Sequence, residues 1–251
     1  MKLTTNQIKR YSRQIILKNI GPLGQKKLLQ SSVLVVGVGG LGSPILYYLC
    51  ALGVGKIGII DHDKVDISNL NRQILFDMKD IKKSKSKTAY IKLKNINPDI
   101  KINFFQKKLN IKNIKGIAKN FDMLVDGSDN FKTKFLINDY CLKSKKILIA
   151  GAIGKFDGHL FTFNFKKKNS PCLRCFFQIT PSNQILNCET EGITGPIAGI
   201  IGTIQANEIL KEILNIGKTL NGKVLIINSL DLSFRKVNLK KRNNCICSKT
   251  K

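Results

Sequence analysis

The chain has 251 residues, 43% of them hydrophobic and 7% aromatic, enough for one sizeable core with appendages or two small domains at most. Its formal charge of +27 comes from 43 Lys and Arg against 16 Asp and Glu, scattered along the whole chain amid abundant Ile and Asn. That spread reads as a compositional bias and argues against a dedicated nucleic-acid binder, though it still attracts anions such as nucleotides or an acidic partner.

No apolar run is long enough to span a membrane. The best candidate, residues 193–216, is broken by Gln205, Asn207, Glu208, Lys211 and Glu212. The first six residues hold no apolar signal core, which makes the cytoplasm the expected location.

In chain order, residues 6–30 read as two short helices broken at Gly21-Pro22. Residues 33–36 form an apolar, β-branched run ending in glycine, the mark of a buried parallel strand. A helix over 43–52 follows, closed by Gly53. A second strand over 56–60 ends at Asp61, and a helix over 84–95 stops before Pro98. Strands over 101–106, 123–126 and 147–150 flank a helix over 131–142. Beyond Gly151, residues 160–165 alternate apolar and polar as an antiparallel strand does. Residues 224–228 and 233–239 resemble a further hairpin, and a helix over 196–214 packs against it. The alternation of strands and helices predicts an α/β, Rossmann-like, doubly wound, mostly parallel sheet extended by antiparallel strands.

Gly37, Gly39 and Gly42 match G-x-G-x-x-G between a strand and a helix. Glycine permits the tight turn and the close approach of backbone to phosphate, and the helix start offers free N–H groups. Asp61 stands where an acid binds ribose hydroxyls. Alone, this pattern says nucleotide, with a nicotinamide dinucleotide as the default. Ser68-Asn69-Leu70-Asn71-Arg72-Gln73, Lys85 and Arg13 add cations and amides that suit a leaving pyrophosphate, whose charge grows in the transition state. Asp129, in Asp126-Gly127-Ser128-Asp129-Asn130 at a strand end, suits Mg²⁺ held against phosphates, or else caps the following helix.

Seven cysteines include the pairs Cys172/Cys175 and Cys245/Cys247. Together they would make a four-thiolate Zn²⁺ site tying the C-terminal segment back to the core; a redox role for the C-x-x-C pair is the alternative. Cys50 and Cys141 fall in apolar helical patterns and read as core thiols. Cys188 precedes a helix, where a thiol can act as nucleophile or persulfide carrier, although Glu189 and Glu191 oppose a lowered pKa.

Taken together, Arg10-Tyr11-Ser12-Arg13-Gln14-Ile15, the glycine loop, the 68–73 and 126–130 segments and both cysteine pairs make the chain resemble the MoeB/ThiF adenylyltransferases, relatives of the ubiquitin-activating enzymes. The resemblance runs from Arg10 to Cys247. It implies one domain over 1–251. N-terminal helices fill 1–30 and a nucleotide-binding half 31–151. The antiparallel extension, zinc cluster and carrier-binding region occupy 152–251. It implies a homodimer that binds MgATP through the glycine loop (Gly37, Gly39, Gly40, Gly42), Asp61, the Ser68–Arg72 segment, Lys85, Asp129 and Asn130, with Arg13 reaching the other subunit's ATP. The substrate it implies is the C-terminal Gly-Gly carboxylate of a small ubiquitin-like sulfur carrier, ThiS- or MoaD-like, activated for thiamine or molybdopterin synthesis. Cys188 matches a cysteine that links covalently to the carrier in ThiF-like members and is dispensable in MoeB-like ones. The second cysteine pair is C-x-C where the family has C-x-x-C. No rhodanese-like domain follows, so a separate sulfur donor is expected. The rival readings are an NAD-dependent oxidoreductase and a related adenylating enzyme of tRNA modification.

Overall fold

The computed structural model describes residues 2–177 and 192–249. One eight-stranded sheet runs in the order β3-β2-β1-β4-β5-β6-β7-β8. Its parallel part comprises β1 (Ser32–Val36), β2 (Lys56–Ile60), β3 (Lys101–Phe105), β4 (Met123–Asp126) and the first half of β5 (Ile147–Gly154). β6 (Asp157–Asn164), β7 (Lys223–Asn228) and β8 (Ser233–Asn238) extend it antiparallel. The expected α/β architecture is therefore present. No helix among the described residues is long and apolar enough to cross a membrane.

The continuous apolar run of β1 is explained by burial on both faces of the sheet. Val33 and Val35 join one core with α4 (Gly42–Leu52), α5 (Lys85–Ile96) and the long helix Gly195–Leu214. Leu34 and Val36 join the other, with α6 (Ile114–Ala118), α7 (Phe131–Lys143) and the paired cysteines. Strands covered on both sides carry no polar alternation, because each fully buried Val or Leu contributes about 1.5–3 kcal/mol. Gly53 ends α4 in the left-handed region at φ 81°, as its position implied.

Two local expectations are corrected. The N-terminal region forms α1 (Thr5–Arg10), α2 (Ser12–Ile15) and α3 (Gly21–Gln30), not two helices. The break read at Gly21-Pro22 is present: the dipeptide begins α3, since proline's missing N–H is harmless in a first turn. β5 continues past Ala150 to Gly154, because β6 supplies antiparallel partners beyond the end of β4. Helix α6 and the short 3-10 turns Ile67–Asn69 and Met78–Asp80 carry weak periodicity and were not anticipated.

Candidate active site

The carboxyl ends of β1, β2, β4 and β5 open into a cleft of 280 Å³. Such a crevice is where an open α/β sheet binds ligands. Of the expected residues, Gly37, Gly39, Gly40, Asp61, Arg72, Lys85, Asp129 and Asn130 line it.

The glycine loop owes its shape to two close approaches. Gly37 has φ 90°, and a Cβ there would lie 2.8 Å from the Gly127 carbonyl oxygen. A Cβ on Gly42 would stand 2.1 Å from the Gly37 carbonyl oxygen, so α4 can start tight against the loop only with glycine. Gly42 thus shapes the loop from outside the lining of the cleft. The amides of Gly39 and Gly40 donate to no backbone carbonyl among the described residues, which leaves them for an anion.

Asp61 is tied into this loop. Its Oδ2 accepts from the Val38 amide at 2.7 Å and its Oδ1 from the Asp63 amide at 2.8 Å. Burial pushes its carboxyl upward, while those two amides and the charge of Lys85 oppose the rise. Lys85 is itself buried, with Nζ 3.6 Å from Asp63 Oδ2.

Ser68, Asn69, Leu70 and Asn71 lie outside the cleft lining. They build the turn that delivers Arg72. Asp66 Oδ1 accepts from the Ser68 amide and hydroxyl at 2.9 and 2.7 Å, and Asn69 Oδ1 accepts from the Asp66 amide. Arg72 Nη1 then donates to Ser68 O at 2.9 Å and Asn71 Oδ1 at 3.0 Å.

The two readings of Asp129 are separated by geometry. The cap of α7 is Asn130, whose Oδ1 accepts from the Thr133 amide at 2.9 Å. Asp129 is exposed at the cleft, touched at 3.3 Å by Asn130 Nδ2, so its carboxylate is free to face a cation. A hard, carboxylate-seeking ion such as Mg²⁺ fits that donor.

Several lining residues were missed. Lys107 and Lys108 follow β3 and add positive charge, beside Gln73 of the 68–73 segment already named from the sequence. Lys134 is buried beneath the cleft, its Nζ donating to Asp126 Oδ2 at 3.1 Å and to Gly151 O at 2.6 Å. Gln205 Nε2 donates to Asp126 O at 3.0 Å from the long helix. These bonds join β4, β5, α7 and the long helix into one floor. The spacing of Lys134 four residues after Asn130 was the available signal, submerged among many lysines. Arg13 is exposed on α2 and does not line the cleft. Cys188 lies outside the described residues.

The paired cysteines converge. Cys172, Cys175, Cys245 and Cys247 are buried, with all four sulfurs within 4.8 Å of one another. The Cys172–Cys245 and Cys175–Cys247 separations are 3.5 and 3.4 Å. Ligands 2.3 Å from a tetrahedral zinc stand about 3.8 Å apart, so the set fits Zn²⁺ and the C-x-C spacing is no obstacle. A hydrogen bond from Cys172 pulls the Cys175 thiol down, while burial pushes Cys247 up. The knuckle is docked on α7. The Leu173 amide donates to Asn138 Oδ1, and Arg174 makes two bonds to Asp139 at 2.9 and 2.8 Å. Cys50 and Cys141 are fully buried core thiols.

A model of the ThiF family matches residues 11–249. The chain belongs to the ThiF family. A sulfur carrier protein adenylyltransferase of Thermus thermophilus is 38% identical over 98% of this chain and 92% of its own length. A probable molybdopterin-synthase adenylyltransferase of Porphyra purpurea is 44% identical over 90% of this chain and 59% of its own. The chain spans about half the length, 55%, of the Drosophila adenylyltransferase and sulfurtransferase MOCS3 relatives it matches. Among solved structures, E. coli MccB with ATP superposes with a TM-score of 0.82 at 22% identity, covering 95% of this chain and 74% of MccB. This shared ThiF-family fold places the glycine loop, Asp61 and Asp129 at one end of the sheet.

Proposed function

We propose that this ThiF-family chain adenylylates the C-terminal Gly-Gly carboxylate of a small ubiquitin-like sulfur-carrier protein, ThiS- or MoaD-like, using MgATP and releasing pyrophosphate. The observation that carries the reading is the cleft itself. A glycine loop and a ribose acid share it with Arg72, Lys85, Lys107 and Lys108 and two exposed carboxylates, Asp63 and Asp129. A hydride transfer needs no such concentration of cations, whereas a departing pyrophosphate does. The names of the Thermus and Porphyra relatives support the same reading.

In this reading the free amides of Gly39 and Gly40 receive the phosphates, and Asp61 the ribose. A carrier carboxylate oxygen attacks the α-phosphorus, the bond to the β-phosphate oxygen breaks, and pyrophosphate departs toward Arg72 and Lys85. Magnesium, when held by Asp129, neutralises phosphate charge. The protein's share is positioning and charge stabilisation. The four cysteines would hold zinc, which would tie the C-terminal segment to the Leu173–Phe176 helix that docks on α7. Arg13, exposed and outside the lining of its own cleft, serves the site of a second copy in a homodimer. Sulfur then arrives from a separate donor, with Cys188 as the candidate thiol, and the chain works in the cytoplasm.

Exchange of labelled pyrophosphate into ATP tests the proposal. Purified carriers of the thiamine and molybdopterin pathways are added one at a time, and exchange should require a carrier ending in Gly-Gly. Absence of exchange with both, alongside tight NAD binding, would return the chain to the oxidoreductase reading.

A further inference from the structure

Gln73 is an oddity in the cleft. Its side chain is only 4% exposed, yet Oε1 has no hydrogen-bond partner among the described residues. A buried amide left without a partner is costly, and native structures rarely keep one without a use. The residue lines the cleft beside the glycine loop, its Nε2 3.9 Å from where a Cβ on Gly39 would stand.

The chemistry of the missing partner can be narrowed. Oε1 is an acceptor and needs a donor. The neighbouring groups, Arg72, Lys85 and the loop amides, are themselves donors matched to phosphate and carboxylate oxygens. ATP carries donors only on its base and ribose, and in the reading above the ribose belongs to Asp61. The cleft lining also includes the apolar side chains of Ala152, Ile153 and Ile193. The start of the long helix closes against the turn carrying Gln73, where a Cβ on Gly195 would lie 2.4 Å from Asn71 O. A slim, side-chain-free peptide suits a cleft closed that tightly beside Gln73, and a peptide brings N–H donors.

Resting on the adenylyltransferase reading above, we infer that Gln73 is a specificity-determining, substrate-contacting residue. Its Oε1 accepts a backbone N–H from one of the last two residues of the carrier tail, aligning the terminal carboxylate with the α-phosphate. The bond selects a peptide carboxylate over a free small acid, which lacks that N–H.

The test pairs Gln73→Leu with synthetic carriers N-methylated at the last or the penultimate peptide nitrogen. Pyrophosphate exchange reads the carrier KM, and equilibrium dialysis reads ATP affinity. Gln73→Leu should raise the carrier KM about tenfold with ATP affinity unchanged. One of the two methylated carriers should cost the parent enzyme the same factor and cost Gln73→Leu nothing further. A loss of ATP affinity with unchanged carrier KM would overturn the inference and assign Gln73 to the nucleotide. Equal use of both methylated carriers by the parent enzyme would overturn it too, and that measurement needs no variant to fold. Failure of the parent enzyme to exchange with any unmodified carrier sinks the underlying activity instead, a result distinct from a loss confined to Gln73→Leu.

Discussion

Replacing Lys134 with Met probes the floor of the cleft. The Lys134 side chain is 2% exposed and that of Asp126 1%. In Lys134→Met, Asp126 Oδ1 keeps the Ser128 amide and hydroxyl at 2.9 and 2.6 Å. Its Oδ2 loses the ammonium, and the Gly151 carbonyl loses its donor. Removing one partner of a buried pair leaves an uncompensated charge and costs about 3–5 kcal/mol. In a chain of this size each kcal/mol moves Tm by roughly 2–4 °C, so the expected fall is about 6–20 °C. Thermal unfolding of zinc-replete, nucleotide-free protein, followed by circular dichroism, measures it. Adding Asp126→Asn should recover most of the loss, because replacing a whole buried pair is often close to neutral. A single variant that melts within about 2 °C of the parent would refute the reasoning, for the carboxylate would then have found compensation without Lys134.

Asp129→Ala should abolish pyrophosphate exchange while leaving Tm within about 2 °C, since Asn130 and not Asp129 caps α7; unchanged exchange would remove Asp129 from the metal site. Gly42→Ala should weaken ATP binding by at least about tenfold in equilibrium dialysis, because its Cβ would fall 2.1 Å from the Gly37 carbonyl oxygen and push α4 off the loop. Cys172→Ser should lose the single equivalent of zinc in metal analysis and lower Tm, as the Leu173–Phe176 knuckle loosens from α7; full zinc retention would show that the other three thiols suffice.

Legibility in the sequence followed locality. The strands of the nucleotide-binding half and the glycine loop are written in consecutive residues, because a buried parallel strand needs an unbroken apolar run and a phosphate turn needs glycines at set spacing. β2 and β4 begin and end where the pattern placed them. The N-terminal region reads as two helices where three form, because the break between α1 and α2 at Tyr11 is marked by no glycine or proline. β5 was read short because its last residues are held by β6, a partner that local pattern does not reveal.

The site divides along the same line. Asp61, Arg72, Lys85 and the four cysteines could be named from residue type and spacing alone, since a nucleotide or a metal demands those groups. What each of them touches needed the folded chain. The caps and turns show the division: Ser68 to Asn71 belong to the turn behind Arg72, Asn130 takes the cap and frees Asp129, and C-x-C closes the cysteine cluster as readily as the longer spacing would. Lys134 was invisible, and Gln73 was not set apart from its segment, for a physical reason. Charge and amide groups are common in so basic a chain, and burial gives them meaning only when distant segments, β4, β5 and the long helix, close over them. The sequence alone determined which chemistry the chain carries; the tertiary structure decided which of its many polar groups are taken out of water to perform it.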